Sequence, residues 1–392
     1  MKFKFYALAL AVFAIVSCTN SKSENETKGS DEKQGKQQPK IETAADESIV
    51  YFCKDITPEN ILKLYEALGV KQDGKIGLKV HFGEEGNQNF LNPELLKPLV
   101  EKTNATFVET NVLYVSKRRF TDSHIALAKE HGFTFAPIDI LDADGEAELP
   151  AEGLKHYTKI KTGSHFNNYD NYIIYSHFKG HGSAGFGGAI KNVSMGLASP
   201  GGKMAMHASN IPATVDPSAC VNCQRCVQQC PGNAITITQN GPVIDPEKCL
   251  GCAKCIAECP LKIFAPDGKD VEENVFLERL VEYAKVLCDA KPMVYINVMD
   301  NISKTCDCSA KAPAPFMEKV GAVASTDIVA IEMACHQLTA AKYGKDDAFK
   351  DVNGISGFGQ VQYAHQLGMG NIKYVLVDVV TGERISLEDA IK

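Results

Sequence analysis

The sequence predicts an α/β domain on a mostly parallel sheet, interrupted by a small α+β insert rich in cysteine. Three observations predict it. Short Val/Ile-rich runs alternate with segments whose apolar residues recur every three or four positions, the pattern of strands joined by crossover helices. That alternation stops near residue 213 and resumes near 268. Between those points lie eight of the fourteen cysteines.

The first segment is not part of the fold. Lys2 and Lys4 precede the apolar run Phe5–Val16, too short to span a bilayer comfortably and typical of a secretory signal. The run ends Ile15-Val16-Ser17-Cys18, which resembles a bacterial lipobox. The resemblance implies removal of residues 1–17 and a lipid on Cys18, holding the exported chain on the periplasmic or cell-surface side of a bacterial membrane. Residues 18–48 then form the lipidated cysteine and a disordered tether, because Ile41 is the only large apolar side chain from Thr19 to Ser48.

The α/β domain is expected in two parts, 49–212 and 268–392. Ile49–Cys53, Ile76–His81, Ala105–Glu109, Tyr172–Phe178, Met293–Val298 and Tyr374–Val380 read as strands bounded by Gly, Asp or Asn. Glu59–Leu68, Pro93–Lys102, Thr121–His131, Val271–Cys288, Asp327–Ala341 and Val361–Leu367 read as amphipathic helices. Cys53 and Cys288 fall in apolar runs and read as small core residues.

The insert, 213–267, is an internal repeat. Cys220-x2-Cys223-x2-Cys226-x3-Cys230-Pro231 recurs 29 residues on as Cys249-x2-Cys252-x2-Cys255-x3-Cys259-Pro260, each preceded by an Asp-Pro pair. Zinc sites usually take two C-x2-C pairs without the extra cysteines. The spacing is that of bacterial two-cluster ferredoxins, in which the fourth cysteine of each run serves the other cluster. Two [4Fe–4S] clusters are therefore expected. Cys220, Cys223, Cys226 and Cys259 would hold one, and Cys249, Cys252, Cys255 and Cys230 the other. Ala234–Thr238 and Val243–Ile244 read as short strands over the clusters, with Ile256, Ile263 and Phe264 as apolar cover.

Several stretches along the mature chain resemble the "domain of unknown function 362" family, in the subgroup with an inserted ferredoxin. They are Gly77 to Glu84, Glu109 to Tyr114, Ser176 to His181, Gly185 to Asn192, Met195-Gly196, Gly202-Lys203, Cys306-Asp307-Cys308 and Asp327 to Glu332. Asp327-Ile328 stands where the family pattern suggests Asp-Pro, and Glu332 where it suggests Asp. The resemblance implies architecture and cofactor rather than a reaction.

Candidate chemistry outside the insert falls in three places. Gly180 to Gly202 is glycine-rich and carries His181, Lys191, Asn192 and Lys203, without the spacing of a P-loop or a dinucleotide fingerprint. Gly354 to Gly359 is a second such loop. His81, His177 and His181 are candidate acid–base or metal-binding groups. Cys306 and Cys308 follow the Met293–Val298 strand, at the rim where open α/β sheets bind ligands, and Cys335-His336 lies in a later helix. Three readings stand for Cys306, Cys308 and Cys335: an additional metal or third iron–sulfur site, a redox dithiol, or buried structural thiols.

Net charge is −7, which argues against nucleic acid as a partner. Two functions remain. One is an oxidoreductase passing electrons between the clusters and a small-molecule substrate or metal near His81, His177, His181, Lys191, Cys306 and Cys308. The alternative is a non-enzymatic, membrane-anchored electron carrier or metal-handling lipoprotein that serves a redox partner protein.

Overall fold

A computed structural model describes residues 43–392, except 115, 208–210, 231, 250, 252, 253 and 266–272. The expected signal segment, Cys18, most of the tether and Cys252 lie outside the described residues.

The chain begins β1 (Glu47–Cys53), α1 (Pro58–Ala67), β2 (Ile76–Lys79), α2 (Lys97–Thr103), β3 (Thr106–Glu109) and α3 (Thr121–Glu130), as the alternation predicts, followed by β4 (Ile138–Ile140), which it does not. Local chemistry sets the starts: Thr57 caps α1, its hydroxyl accepting the Asn60 N–H at 3.2 Å, with Pro58 in the first turn. β5 (Glu146–Pro150) and β6 (Lys159–Gly163) form a separate hairpin. β7 (Asn171–His177) returns to the sheet, and β8 (Lys179–His181) and β9 (Gly185–Gly187) form a second hairpin before α4 (Ala189–Leu197) and α5 (Pro200–His207).

The insert holds β10 (Ala213–Thr214), α6 (Arg225–Gln228), β11 (Ile235–Thr238), β12 (Gly241–Ile244), α7 (Lys254–Glu258) and β13 (Phe264–Ala265). The sequence repeat is repeated in the backbone. Asn222 and Gly251 both take left-handed φ values, 54° and 62°, as do Asn233 and Lys262, 49° and 56°. β10 pairs with β13 and β11 with β12, so each ribbon joins one strand from each half. The β10–β13 ribbon also brings the two ends of the insert together.

After the insert come α8 (Glu273–Ala290), β14 (Met293–Ile302), β15 (Met317–Ser325), α9 (Ile328–Tyr343), α10 (Ala348–Asn353), α11 (Phe358–Gln366), β16 (Lys373–Asp378) and α12 (Leu387–Ile391). The eight-stranded sheet runs β16-β1-β15-β14-β7-β2-β3-β4. β15 is antiparallel to both its neighbours, and the other pairs are parallel. The sheet is therefore mixed, and sequence reading misses the short edge strand β4 and the long strand β15. The Gly-Ala-Val-Ala-Ser end of β15 has little of the bulk that marks strands. Gly321 is needed there: its φ is +145°, and a Cβ would sit 2.5 Å from the Cys53 carbonyl oxygen, beside the register shift at Met299/Asp300.

Side chains alternate across the sheet, as period two requires. In β7, Tyr172 and Ile174 join one core with α4, α8 and α9, while Ile173 and Tyr175 join the other with α1 and α2. Asp327 caps α9 through Val329 N–H and Ala330 N–H, at 2.8 and 2.9 Å. α9 is buried on nearly all sides, which places Glu332, Cys335 and His336 in the interior.

Candidate functional site: a cationic cavity beside the cysteine insert

The site gathers at the carboxyl ends of four parallel strands, where open α/β sheets leave a crevice. β2 ends in Lys79 and leads to His81. β3 ends in Glu109 and leads to Leu113, Tyr114 and Arg118. β7 ends in His177, followed by Lys179 and His181 of β8. β14 leads to Cys306 and Cys308. Together with Lys191 and Asn192 of α4 and Lys203 and His207 of α5, these residues line a cavity of about 330 Å³.

The floor is a buried ionic network. Glu109 Oε1 lies 2.5 Å from Arg118 Nη2 and 4.0 Å from Lys79 Nζ, and Oε2 lies 3.1 Å from His124 Nε2. Burial alone would raise the Glu109 carboxyl, but Arg118, then His81 and Lys79, hold it well below the usual range. Lys79 donates to the Val80 carbonyl at 2.5 Å and to Asn192 Oδ1 at 2.8 Å. Burial pushes it down to about 7, against the pull of Glu109. Lys203 donates to Thr110 Oγ1 and to the carbonyls of Asn111 and Ala198, at 2.5, 2.7 and 2.9 Å. Burial lowers it to about 8.

The histidines divide by role. His177 does not face the cavity with a free nitrogen. Its Nδ1 lies 2.9 Å from Asp307 Oδ2 and its Nε2 2.6 Å from the Asp300 carbonyl oxygen. His177 thus lines the cavity with both ring nitrogens engaged by protein oxygens, and it positions the Asp307 loop. His181 accepts the Ser183 and Ala184 N–H groups on Nδ1, both at 3.1 Å, so its proton sits on Nε2. Burial, then Lys191 and Lys179, keeps the ring well below the usual imidazole range. His81 accepts the Gly83 N–H on Nδ1 at 3.0 Å and has Nε2 3.2 Å from Arg118 Nη1.

Cys306 and Cys308 stand together on the cavity wall. The Cys308 N–H points to Cys306 Sγ at 3.4 Å. The Cys308 thiol, then Lys191 and Lys179, hold Cys306 well below the ordinary thiol range against its burial, and Cys308 is pushed up correspondingly. Lys179 Nζ is 3.8 Å from Asp307 Oδ2. Among the described residues, no hydrogen-bond or ion-pair partner faces the Lys191 ammonium.

Cys335 does not join this pair. It lies in the core under α9, with Sγ 3.6 Å from Asn297 Nδ2, and does not line the cavity. Its neighbour His336 faces Asp347 at 3.3 Å. α9 thus carries Cys335 into the sheet's core, and of the three cysteines only Cys306 and Cys308 line the cavity. Among the described residues, no three His, Cys, Asp or Glu side chains converge on a single-ion position. The Gly354–Gly359 loop is a buttress. Gly357 (φ +71°) would bring a Cβ within 2.2 Å of the Ala184 carbonyl oxygen, and Gln360 donates to Ala184 and Phe186 carbonyls, fixing the His181 hairpin.

The insert lies against the cavity. Leu113, Tyr114 and His207 line it and also a second space of about 320 Å³, whose far wall is Ile256, Lys262, Phe264 and Ala265 of the insert. Leu113 belongs to the same apolar cluster as Cys226, Cys255 and Cys259. Cys220, Cys223, Cys226 and Cys259 line a common hollow with Ile237, Ile263 and Phe264. An all-thiol set with apolar cover fits the ligand chemistry of a cubane.

A family profile described as a domain of unknown function (DUF362) matches residues 76–337. The chain belongs to the DUF362 family. The matched span includes every cavity residue named above and the whole insert. No curated protein matches the chain. Among solved structures, it is similar to the lactate racemase apoprotein from Thermoanaerobacterium thermosaccharolyticum at 13% identity and a TM-score of 0.33, covering 66% of this chain and 53% of that one. It is also similar to a protein from Thermotoga maritima at 12% identity and a TM-score of 0.34, covering 79% and 58%. The chain spans just over half the length of each, and at these scores the likeness carries no argument about activity.

Glu332 gives the site a pH signature in this DUF362 protein. Its Oε1 accepts from Asn297 Nδ2 at 3.2 Å and from the Ile190 N–H at 3.3 Å, and burial pushes the carboxyl from 4.5 to about 7. The folded chain therefore keeps a proton that the unfolded chain has released between those values. Through Glu332, stability falls by about 3 kcal/mol as pH rises from 4.5 to 7 and levels above, at 1.36 kcal/mol per unit. The buried histidines His81, His124, His181 and His207, held below their usual range, contribute with the opposite sign, so urea unfolding should show the native protein losing stability relative to Glu332→Gln across this range.

Proposed function

We propose that this chain is an iron–sulfur oxidoreductase. It would carry two [4Fe–4S] clusters in the insert and exchange electrons with a small molecule in the cationic cavity. The observation that carries the reading is the shared wall: Leu113 packs with cluster-motif cysteines on one side and lines the cavity on the other. A substrate there would sit next to an electron source.

Cys220, Cys223, Cys226 and Cys259 would hold one cluster, and Cys249, Cys252, Cys255 and Cys230 the other. When bound, the clusters supply one-electron carriers. The Asn222 N–H points to Cys220 Sγ at 3.4 Å and the Ala234 N–H to Cys230 Sγ at 3.2 Å, contacts that stabilise thiolate charge and tune potential. In the cavity, Lys79 and Lys203 sit near 7 and 8, where an amine both holds and releases protons at neutral pH. His181 offers an Nε2 proton. Cys18, if lipidated, would hold the protein at a membrane surface.

Cys306→Ser and Cys308→Ser variants test the reading. Both are expected to keep their iron and to be reduced by dithionite at the native rate. Both should lose reoxidation of the reduced protein by a fractionated small-molecule extract. Unchanged reoxidation would leave a simple electron carrier instead.

A further inference from the structure

Five basic side chains, Arg118, Lys79, Lys179, Lys191 and Lys203, line the cavity with one carboxylate, Glu109. Arg118 and Lys79 share Glu109, and Arg118 Nη1 also lies 3.8 Å from Glu84 Oε2. Lys179 faces Asp307 across 3.8 Å. Lys203 spends its donors on neutral oxygens. Lys191 has neither a carboxylate nor a hydrogen-bond partner among the described residues. Lys191 and Lys179 both flank Gly187. A Cβ added at Gly187 would lie 2.9 Å from Lys191 Cδ and 3.9 Å from Lys179 Nζ. An ammonium with no anion beside it in a partly enclosed space favours an anionic ligand. The approach is basic too, since Lys262 of the insert lines the adjoining space.

We propose that the cavity takes a small organic anion, its carboxylate or phosphate between Lys191 and Lys179 and its reacting carbon against the Cys306 sulfur. This inference rests on the cavity being the substrate site proposed above, and it does not need the clusters. A volume of about 330 Å³ is at the lower end for small-molecule sites. It suits a metabolite-sized acid or phosphoester rather than a dinucleotide or a peptide. The neutral, proton-bearing Nε2 of His181 would add a hydrogen bond to the anion without adding charge.

Alkylation of Cys306 in the intact, anaerobically purified protein reads this directly. Iodoacetate is a small carboxylate with an electrophilic carbon; the sulfur displaces iodide and becomes S-carboxymethylated. Iodoacetamide is its neutral counterpart. A thiolate in water favours the neutral reagent, because like charges repel. Cys306, mapped by mass spectrometry, should instead favour iodoacetate. Lys191→Ala should lower its iodoacetate rate about tenfold, the size expected of one charge a few ångströms away at a partly buried site, and change the iodoacetamide rate little. Inorganic phosphate and acetate are the protecting probes. Slowing by phosphate alone assigns a phosphoryl ligand, and slowing by acetate a carboxylate. A preference of Cys306 for iodoacetamide, or no labelling of Cys306 by either reagent, overturns the proposal. Iron is counted on the same sample. A protein without iron that still favours iodoacetate would refute the cluster reading and support this one.

Discussion

Cys259→Ala is expected to cost about four of the eight iron atoms that two [4Fe–4S] clusters would bring, and to do so without adding to the loss in Cys220→Ala. The two cysteines lie in different motifs of the sequence repeat. They line the same hollow, together with Cys223 and Cys226. If they serve one cluster, the Cys220→Ala/Cys259→Ala double variant retains as much iron as either single variant. Cys249→Ala/Cys259→Ala, which share a motif, should then lose nearly all of it. Iron and sulfide analysis with visible absorption measures both. The reverse pattern, additive loss for Cys220 with Cys259, would assign each motif its own cluster and contradict the geometry of the hollow.

Arg118→Ala is expected to destabilise the fold by about 3–5 kcal/mol, the range for breaking a buried ion pair from one side. The guanidinium is almost fully buried. It meets Glu109 at 2.5 Å, His124 Nε2 at 3.3 Å and the Tyr114 hydroxyl at 3.3 Å. Without it, the Glu109 carboxylate keeps only the more distant Lys79 as a cationic partner. Urea unfolding at neutral pH measures the loss. Lys in place of Arg should recover little, because one ammonium cannot reach Glu109, His124 and Tyr114 together. Glu109→Gln in the Arg118→Ala background should restore part of the stability, since it removes the stranded charge. A loss below about 1 kcal/mol would mean that the network is solvated and does not shape the cavity floor.

Much of the architecture is legible in the sequence because its strands announce themselves. Ile76–Lys79, Asn171–His177 and Met293–Ile302 are bulky and fully or largely buried, so their apolar runs are continuous. β15 is hidden because Gly321 and the alanines around it are chosen for close backbone approach, not for bulk. The Cys306–Cys308 rim position follows from the strand before it. The exclusion of Cys335 does not, because it depends on which face of α9 meets the sheet, and α9 is buried nearly all round. The ionic floor is equally hidden. Lys79 and Glu109 sit at strand ends, where charge usually means solvent. Arg118 stands in a basic triplet that reads as surface, yet its side chain turns inward while Lys117 and Arg119 remain outside or partly so. The excess of lysines among the glycine-rich loops was the available signal, and it becomes a cavity only once four strand ends are brought side by side.

The most direct test is a count of iron and acid-labile sulfide in the chain expressed without residues 1–17 and purified without oxygen. Two cubanes predict about eight of each per chain, with no stoichiometric second metal. No iron after anaerobic reconstitution, or zinc in its place, would contradict the assignment of the eight cysteines on which the proposed electron transfer depends.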